Sequence, residues 1–124
     1  MSQIYLLSPT ILEKRPINNR HKHIKYPKAN NSNVKFGINK PEKVDELIKR
    51  YSTHFKNDFR YKLIIRDELD KLLRFENYLK EIFFEYINKF REETNYSRTK
   101  EWMSGIKFED AEKIIIEEYK KFST

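Results

Sequence analysis

The sequence predicts an all-α fold, a bundle of three to four helices preceded by an extended basic N-terminal arm. Two observations predict it. Apolar residues recur with the helical period through most of the chain beyond Pro41. All four prolines lie at or before Pro41, and a proline fixes φ and favours extended backbone in the residue before it. We therefore expect a basic arm over residues 1–40 and a helical body over residues 41–124.

The basic arm is expected to be extended or irregular, with a short strand near residues 3–7. Residues 1–41 hold eight Lys or Arg and one acid, Glu13, whereas residues 42–124 hold 18 charges of each sign. The net charge of +7 therefore lies in the first third of the chain. Because the apolar stripes lie beyond Pro41, we expect the helical body to fold without the arm.

The first predicted helix is "PEKVDELIKRYSTHFK". Its apolar residues recur at helical spacing and form one face, comprising Val44, Leu47, Ile48, Tyr51 and Phe55. Pro41 suits a first turn, and Glu42 and Asp45 favour the positive end of the helix dipole.

Residues 58–94 also follow the helical period, and no proline or glycine interrupts them. Their periodic positions are Leu69, Leu72, Leu73, Leu79, Ile82, Phe83, Tyr86, Ile87 and Phe90. One helix of about 36 residues would span about 54 Å, well beyond the usual length. Two helices with a break near residues 75–77 are the alternative, and the sequence leaves both open.

The stretch "TNYSRTKEWMSG" predicts a connection, in which Trp102 fills the core. A last helix follows in "KFEDAEKIIIEEYKKF", with acids at its start and lysines at its end, as the helix dipole favours. Its apolar face comprises Phe108, Ala111, Ile115, Tyr119 and Phe122. The three consecutive isoleucines leave a buried strand over residues 113–119 as an alternative.

Composition argues against several classes of function. The chain has no cysteine, so it has neither disulfides nor thiolate metal sites, and two glycines cannot build a Gly-rich phosphate loop. His21 and His23 are too few ligands for a metal. We expect no enzymatic activity, no catalytic residue, no metal and no cofactor. The absence of a signal peptide and of a long apolar run predicts a cytoplasmic protein with no membrane partner, in a bacterium, an infected host cell or an organelle interior.

The basic arm predicts contact with nucleic acid. Lysine and arginine neutralise phosphates, and interleaved rings can stack on unpaired bases. The candidate nucleic-acid-binding residues are Lys14, Arg15, Arg20, His21, Lys22, His23, Lys25, Tyr26, Lys28, Lys35, Phe36 and Lys40. Charge alone does not distinguish polyanions, so an acidic protein surface is an alternative partner.

The helical body is charge-balanced and rich in Tyr and Phe, which favours a protein interface. The candidate interface residues are Tyr51, Tyr61, Phe84 and Tyr96. The sequence thus predicts a non-catalytic, nucleic-acid-associated component of a ribonucleoprotein or of a viral or phage assembly, binding RNA or DNA and docking on protein. The alternative is a phage- or mobile-element-encoded inhibitor, similar in role to anti-CRISPR proteins, which binds a host nucleic-acid-handling enzyme or defence nuclease.

Overall fold

The computed structural model describes residues 1–17 and 27–123, and it has a mixed α/β fold. The prediction of an all-α bundle was wrong, because strands make up 27% of the described residues and four of these strands form an antiparallel sheet. The strands are β1 (Ser2–Pro9), β2 (Arg15–Pro16), β3 (Lys28–Ala29), β4 (Asn33–Asn39), β5 (Phe59–Asp67) and β6 (Trp102–Ser104). The helices are α1 (Val44–Phe55), α2 (Leu69–Ile82), α3 (Phe84–Thr94) and α4 (Phe108–Phe122), and a 3₁₀ turn (Pro41–Lys43) leads into α1.

The four-stranded sheet has the order β5-β1-β4-β6, and its two central strands come from the predicted basic arm. β1 pairs with β4 so that Tyr5 lies opposite Gly37 and Leu7 opposite Lys35. The short strand expected near residues 3–7 is therefore present and longer, while the irregular backbone expected over residues 33–39 is in fact β4. A separate two-stranded ladder joins β2 to β3.

Helices cover both faces of the sheet. Alternate residues of β1 point to opposite sides, so Ile4 and Leu6 belong to one apolar cluster and Tyr5 and Leu7 to another. The first cluster contains buried residues of α2 and α4, and the second contains buried residues of α1. All eight residues of β1 are buried as a result. In its burial pattern β1 thus resembles a strand of a parallel sheet, which has no polar face.

Two predicted helices are confirmed. α1 carries the expected face, with Leu47, Tyr51 and Phe55 buried. α4 spans the three isoleucines, so residues 113–119 are helical and not a strand. Acids in the first turn of each helix complement the positive end of the helix dipole.

The segment from residue 58 to residue 94 differs from both predicted alternatives. It begins with the strand β5, and its helical part then divides into α2 and α3 at Phe83 rather than near residues 75–77. Phe83 is fully buried, and its backbone departs from helical geometry, with φ −92° and ψ 10°. On the two sides of the break, α2 packs on the central strands β1 and β4, whereas α3 packs along the edge strand β6.

Trp102 lies in the core, as predicted, with 3% of its surface exposed. It belongs to β6, where its ring stacks on Phe90 at 5.9 Å and meets Phe55 edge-on at 6.4 Å. Within the described ranges, no helix combines the length and the apolar character that a membrane crossing requires.

Candidate functional site

The predicted nucleic-acid-binding residues that the structure describes fall into two groups. Lys14, Lys28 and Lys40 are exposed. Arg15 is partly buried in β2, and its guanidinium pairs with the Glu13 carboxylate at 2.9 Å. The other candidates of this stretch, namely Arg20, His21, Lys22, His23, Lys25 and Tyr26, lie outside the described residues.

Lys35 and Phe36 do not have the exposure that the sequence predicted for them. Both lie in β4 at the centre of the sheet, where Phe36 is fully buried and Lys35 is 8% exposed. The Phe36 ring packs against Phe83 at 5.6 Å. It is therefore a core residue and not a platform for bases, and Lys35 binds protein groups instead of lying on an open surface.

The ladder of β2 and β3 holds both ends of the basic segment, which we define as residues 14–28. Arg15 lies opposite Ala29, Pro16 lies opposite Lys28, and the Ile17 N–H donates to the Pro27 carbonyl at 3.0 Å. Ala29 is fully buried, and Ile17 packs against the cluster beneath α1. The two ends of the segment are thus fixed to the folded core.

The predicted interface residues differ in exposure. Tyr51 is only 3% exposed and stacks on Phe55 at 6.1 Å, so it belongs to the core. Tyr61 and Tyr96 are half-buried. Phe84, at the start of α3, is 59% exposed and is the candidate that presents a large apolar surface.

A polar cleft, which sequence reasoning missed, lies between α1 and the sheet. It has a volume of about 620 Å³, within the range of about 300–1,000 Å³ that small ligands use. Its charged lining residues are Lys35, Lys43, Lys49, Arg50, Glu46 and Glu101, and it also contains Asn39 and Tyr5. No local signal marks this cleft, because its residues come from β1, β4, the 3₁₀ turn, α1 and the segment before β6.

Lys35 is the most buried charge of this cleft. Its ammonium donates to the Tyr5 hydroxyl at 2.7 Å and to the Glu101 carboxylate at 2.9 Å. Burial alone would lower the pKa of Lys35, but the negative charge of Glu101 and the hydrogen bond to Tyr5 favour the ammonium and raise that pKa above its ordinary value. Lys35 therefore stays protonated at neutral pH. Burial raises the pKa of Tyr5, so that hydroxyl stays neutral.

Gly37 makes room for this arrangement. A Cβ atom on Gly37 would lie 2.6 Å from the Tyr5 hydroxyl oxygen and 3.0 Å from the Lys35 Nζ. The Tyr5 ring therefore lies across the backbone of the opposite strand, with the Lys35 ammonium 4.9 Å from the ring centroid. Glycine in a strand interior often marks such a close approach.

Over residues 1–17 and 27–123, no group of three or more His, Cys, Asp or Glu side chains could hold a metal ion. Comparison of this chain with protein-family models, with curated proteins and with solved structures finds no match.

Proposed function

We propose that this chain is a non-catalytic, nucleic-acid-associated protein, a small component of a ribonucleoprotein or of a viral or phage assembly. The basic segment contacts phosphates, and the folded remainder docks on protein. RNA and DNA offer the same phosphate chemistry, so both are tested as ligands in the first binding experiment.

The observation that carries the proposal is the fixed base of the basic segment. The segment holds six Lys or Arg and no acid, and the β2–β3 ladder and the Ile17–Pro27 hydrogen bond hold its ends together. A polyanion that binds there meets charges attached to a folded core. Each neutralised phosphate releases counterions, which supplies affinity without sequence preference.

The rings of the segment favour single strands. Its sequence interleaves His21, His23 and Tyr26 with the cations, and aromatic side chains stack on unpaired bases. The part of the chain beyond Pro41 is charge-balanced, so it adds little long-range attraction. The affinity for nucleic acid should therefore depend on the segment.

The test compares two triple variants of the full chain. Arg20→Gln/Lys22→Gln/Lys25→Gln removes three charges from the segment, and Lys100→Gln/Lys113→Gln/Lys120→Gln removes three from exposed positions elsewhere. Binding to single- and double-stranded RNA and DNA is measured by fluorescence anisotropy. We expect the first variant to lose most of the affinity and the control to lose little. Equal losses in both variants, or no binding by the original chain at physiological salt, would refute the proposal.

A second function, inhibition of a host nucleic-acid-handling enzyme or defence nuclease, is favoured by Phe84. A phenylalanine with 59% of its surface exposed is the kind of aromatic anchor that protein interfaces use. Under this proposal, Phe84→Ser would abolish inhibition of the enzyme while leaving the nucleic-acid affinity intact. The matched control is Leu73→Ser, which alters an apolar side chain that is 45% exposed on α2.

A further inference from the structure

The cleft between α1 and the sheet contains charges that the nucleic-acid contact of the basic segment does not use. Four cations and two carboxylates line it, which leaves an excess of two positive charges. Lys43 pairs with Glu46 at 3.4 Å and Lys35 with Glu101 at 2.9 Å. Lys49 and Arg50 have no ion-pair partner among the described residues. The uncompensated charge therefore lies with Lys49 and Arg50.

Two polar groups of the inner wall also have unused hydrogen-bonding capacity. The Lys35 ammonium has three donors, and the described residues accept two of them. Both Nδ2 and Oδ1 of the Asn39 amide are shielded from solvent and lack a hydrogen-bond partner in the described part of the chain. Such groups are costly to leave unpaired, at about 1–3 kcal/mol each. An unpaired donor and acceptor beside a cleft favour a polar ligand.

The size of the cleft limits the ligand. About 620 Å³ accommodates a molecule of nucleotide size and not only a single ion. Ile38 and Leu47 add apolar lining, which suits a ring or a sugar face. A phosphomonoester carries a charge of about −1.5 to −2 at neutral pH, which matches the excess of two positive charges.

We propose that the cleft binds a phosphomonoester of mononucleotide size. Lys49, Arg50 and the third donor of Lys35 supply the cations for its phosphate, and the guanidinium of Arg50 suits the geometry of phosphate oxygens. The Asn39 amide hydrogen-bonds the organic part. The cleft shares no residue with the basic segment, so its binding of a phosphomonoester is tested separately from the proposed function.

The experiment is a calorimetric titration of the full chain with inorganic phosphate and with adenosine monophosphate. The variant Lys49→Gln/Arg50→Gln is compared with Lys113→Gln/Lys120→Gln, which removes the same charge from the exposed side of α4. We expect the first pair to weaken binding of the monophosphate about tenfold or more, because charge-assisted hydrogen bonds are lost, and the control pair to change it little. No saturable binding by the original chain, or equal losses in the two pairs, would overturn the proposal.

Asn39→Leu tests the amide separately. The substitution removes two unpaired polar atoms at similar volume, so the fold should tolerate it. Binding of adenosine monophosphate should weaken, while binding of inorganic phosphate should not. Unchanged affinity for the monophosphate would overturn the role of Asn39.

The phosphomonoester could be a free nucleotide or the 5′ end of a nucleic-acid strand, and both offer the same chemistry. Short single strands with a 5′-phosphate and with a 5′-hydroxyl distinguish these sources. Tighter binding of the 5′-phosphorylated strand than of the 5′-hydroxyl strand, with the difference lost in Lys49→Gln/Arg50→Gln, identifies the strand end. Equal binding of both strands, together with saturable binding of the monophosphate, identifies the free nucleotide.

Discussion

Replacing Gly37 with alanine perturbs the buried Lys35 site through a single methyl group. The Cβ atom would lie 2.6 Å from the Tyr5 Oη and 2.8 Å from the Tyr5 Cζ, closer than non-bonded atoms approach. Tyr5 is 2% exposed, so its ring has little space to move. A shift of the ring that relieves the clash therefore disturbs the 2.7 Å hydrogen bond from Lys35.

The magnitude follows from three contributions. Overpacking a filled core costs about 1–3 kcal/mol, and losing a hydrogen bond to a charged group costs about 1.5–3 kcal/mol. Alanine recovers about 0.5–1 kcal/mol, because glycine loses more conformational freedom on folding. Since relief of the clash and loss of the hydrogen bond are alternatives in part, we expect a net loss of about 2–4 kcal/mol in the free energy of unfolding.

The assay is a double-mutant cycle by urea denaturation, with Gly37→Ala, Tyr5→Leu and the double variant. Leucine removes the ring that the methyl group strikes. In that background Gly37→Ala should be neutral or stabilising by about 0.5 kcal/mol. The expected coupling energy is therefore about 2 kcal/mol or more.

Two results would refute this reasoning. If Gly37→Ala were neutral in the original chain, the contact across β4 would not exist as described. If it were equally destabilising with and without the Tyr5 ring, the cost would arise from the strand backbone and not from the Tyr5–Lys35 site.

Three further predictions concern the fold and its charges. Contrary to the expectation from the apolar stripes alone, the fragment 42–124 should be unfolded by circular dichroism, because it lacks the central strands β1 and β4; a cooperative thermal transition in the fragment would contradict this. Burial and Arg50 lower the pKa of His54 in the folded state, so the unfolded chain binds the proton more readily below about pH 6.5. Stability should therefore fall as the pH falls below that value, and His54→Phe should flatten this dependence in urea titrations. Burial and the nearby Glu101 raise the pKa of Glu76 in the folded state. The stability of the fold should therefore fall as the pH rises from the pKa of a glutamate in the unfolded chain, about 4.3, through the higher pKa of folded Glu76. Glu76→Gln should therefore raise the free energy of unfolding at pH 7 by up to about 1 kcal/mol, measured as a higher urea midpoint. A lower midpoint would show that the ion pair of Glu76 with Lys80 stabilises the fold by more than the burial of the carboxylate costs.

The helices α1 and α4 could be predicted because each packs one face on the sheet and exposes the other to solvent. A helix with one buried face has apolar residues that recur with a period of 3.6 residues. The end charges of α4, with acids first and lysines last, add a second local signal. Local pattern is sufficient for such elements.

The central strands could not be predicted in the same way. β1 has helices on both faces and no polar side, so it lacks the alternation that marks a half-buried strand. β4 does alternate, with Val34, Phe36 and Ile38 between polar residues and Gly37, but the prolines and charges around it pointed to an irregular arm. Three of the prolines that suggested an irregular arm instead lie at the ends of regular elements: Pro9 ends β1, Pro16 ends β2, and Pro41 starts the 3₁₀ turn into α1. Proline is tolerated at such places.

β5 did carry a usable signal. Its first five residues alternate aromatic or aliphatic with basic side chains, as "FRYKL", which is the period-two pattern of a strand. The longer helical period on its C-terminal side obscured it. The start of β5 depends on pairing with β1, and Phe83 at the helix break packs against Phe36 of β4. No local pattern specifies either of these long-range contacts.

The cleft was beyond sequence reasoning for a different reason. Lys35 resembled the other lysines of a basic stretch, and its burial follows only from the position of β4 between β1 and β6. A glycine at position 37 of the chain indicates that another group approaches the backbone there, but the sequence does not show that this group is Tyr5. Burial and register, not composition, separate Lys35 from Lys28 and Lys40.

The salt dependence of nucleic-acid binding tests the central proposal most directly. The slope of log K against log salt counts the phosphates that the protein neutralises, at about 0.7–0.9 per contact. We predict that Arg20→Gln/Lys22→Gln/Lys25→Gln reduces the steepness of this slope by about 2–3, while the three-charge control leaves it unchanged. An unchanged slope in the segment variant would contradict the proposal, because the bound phosphates would then be held by another part of the chain.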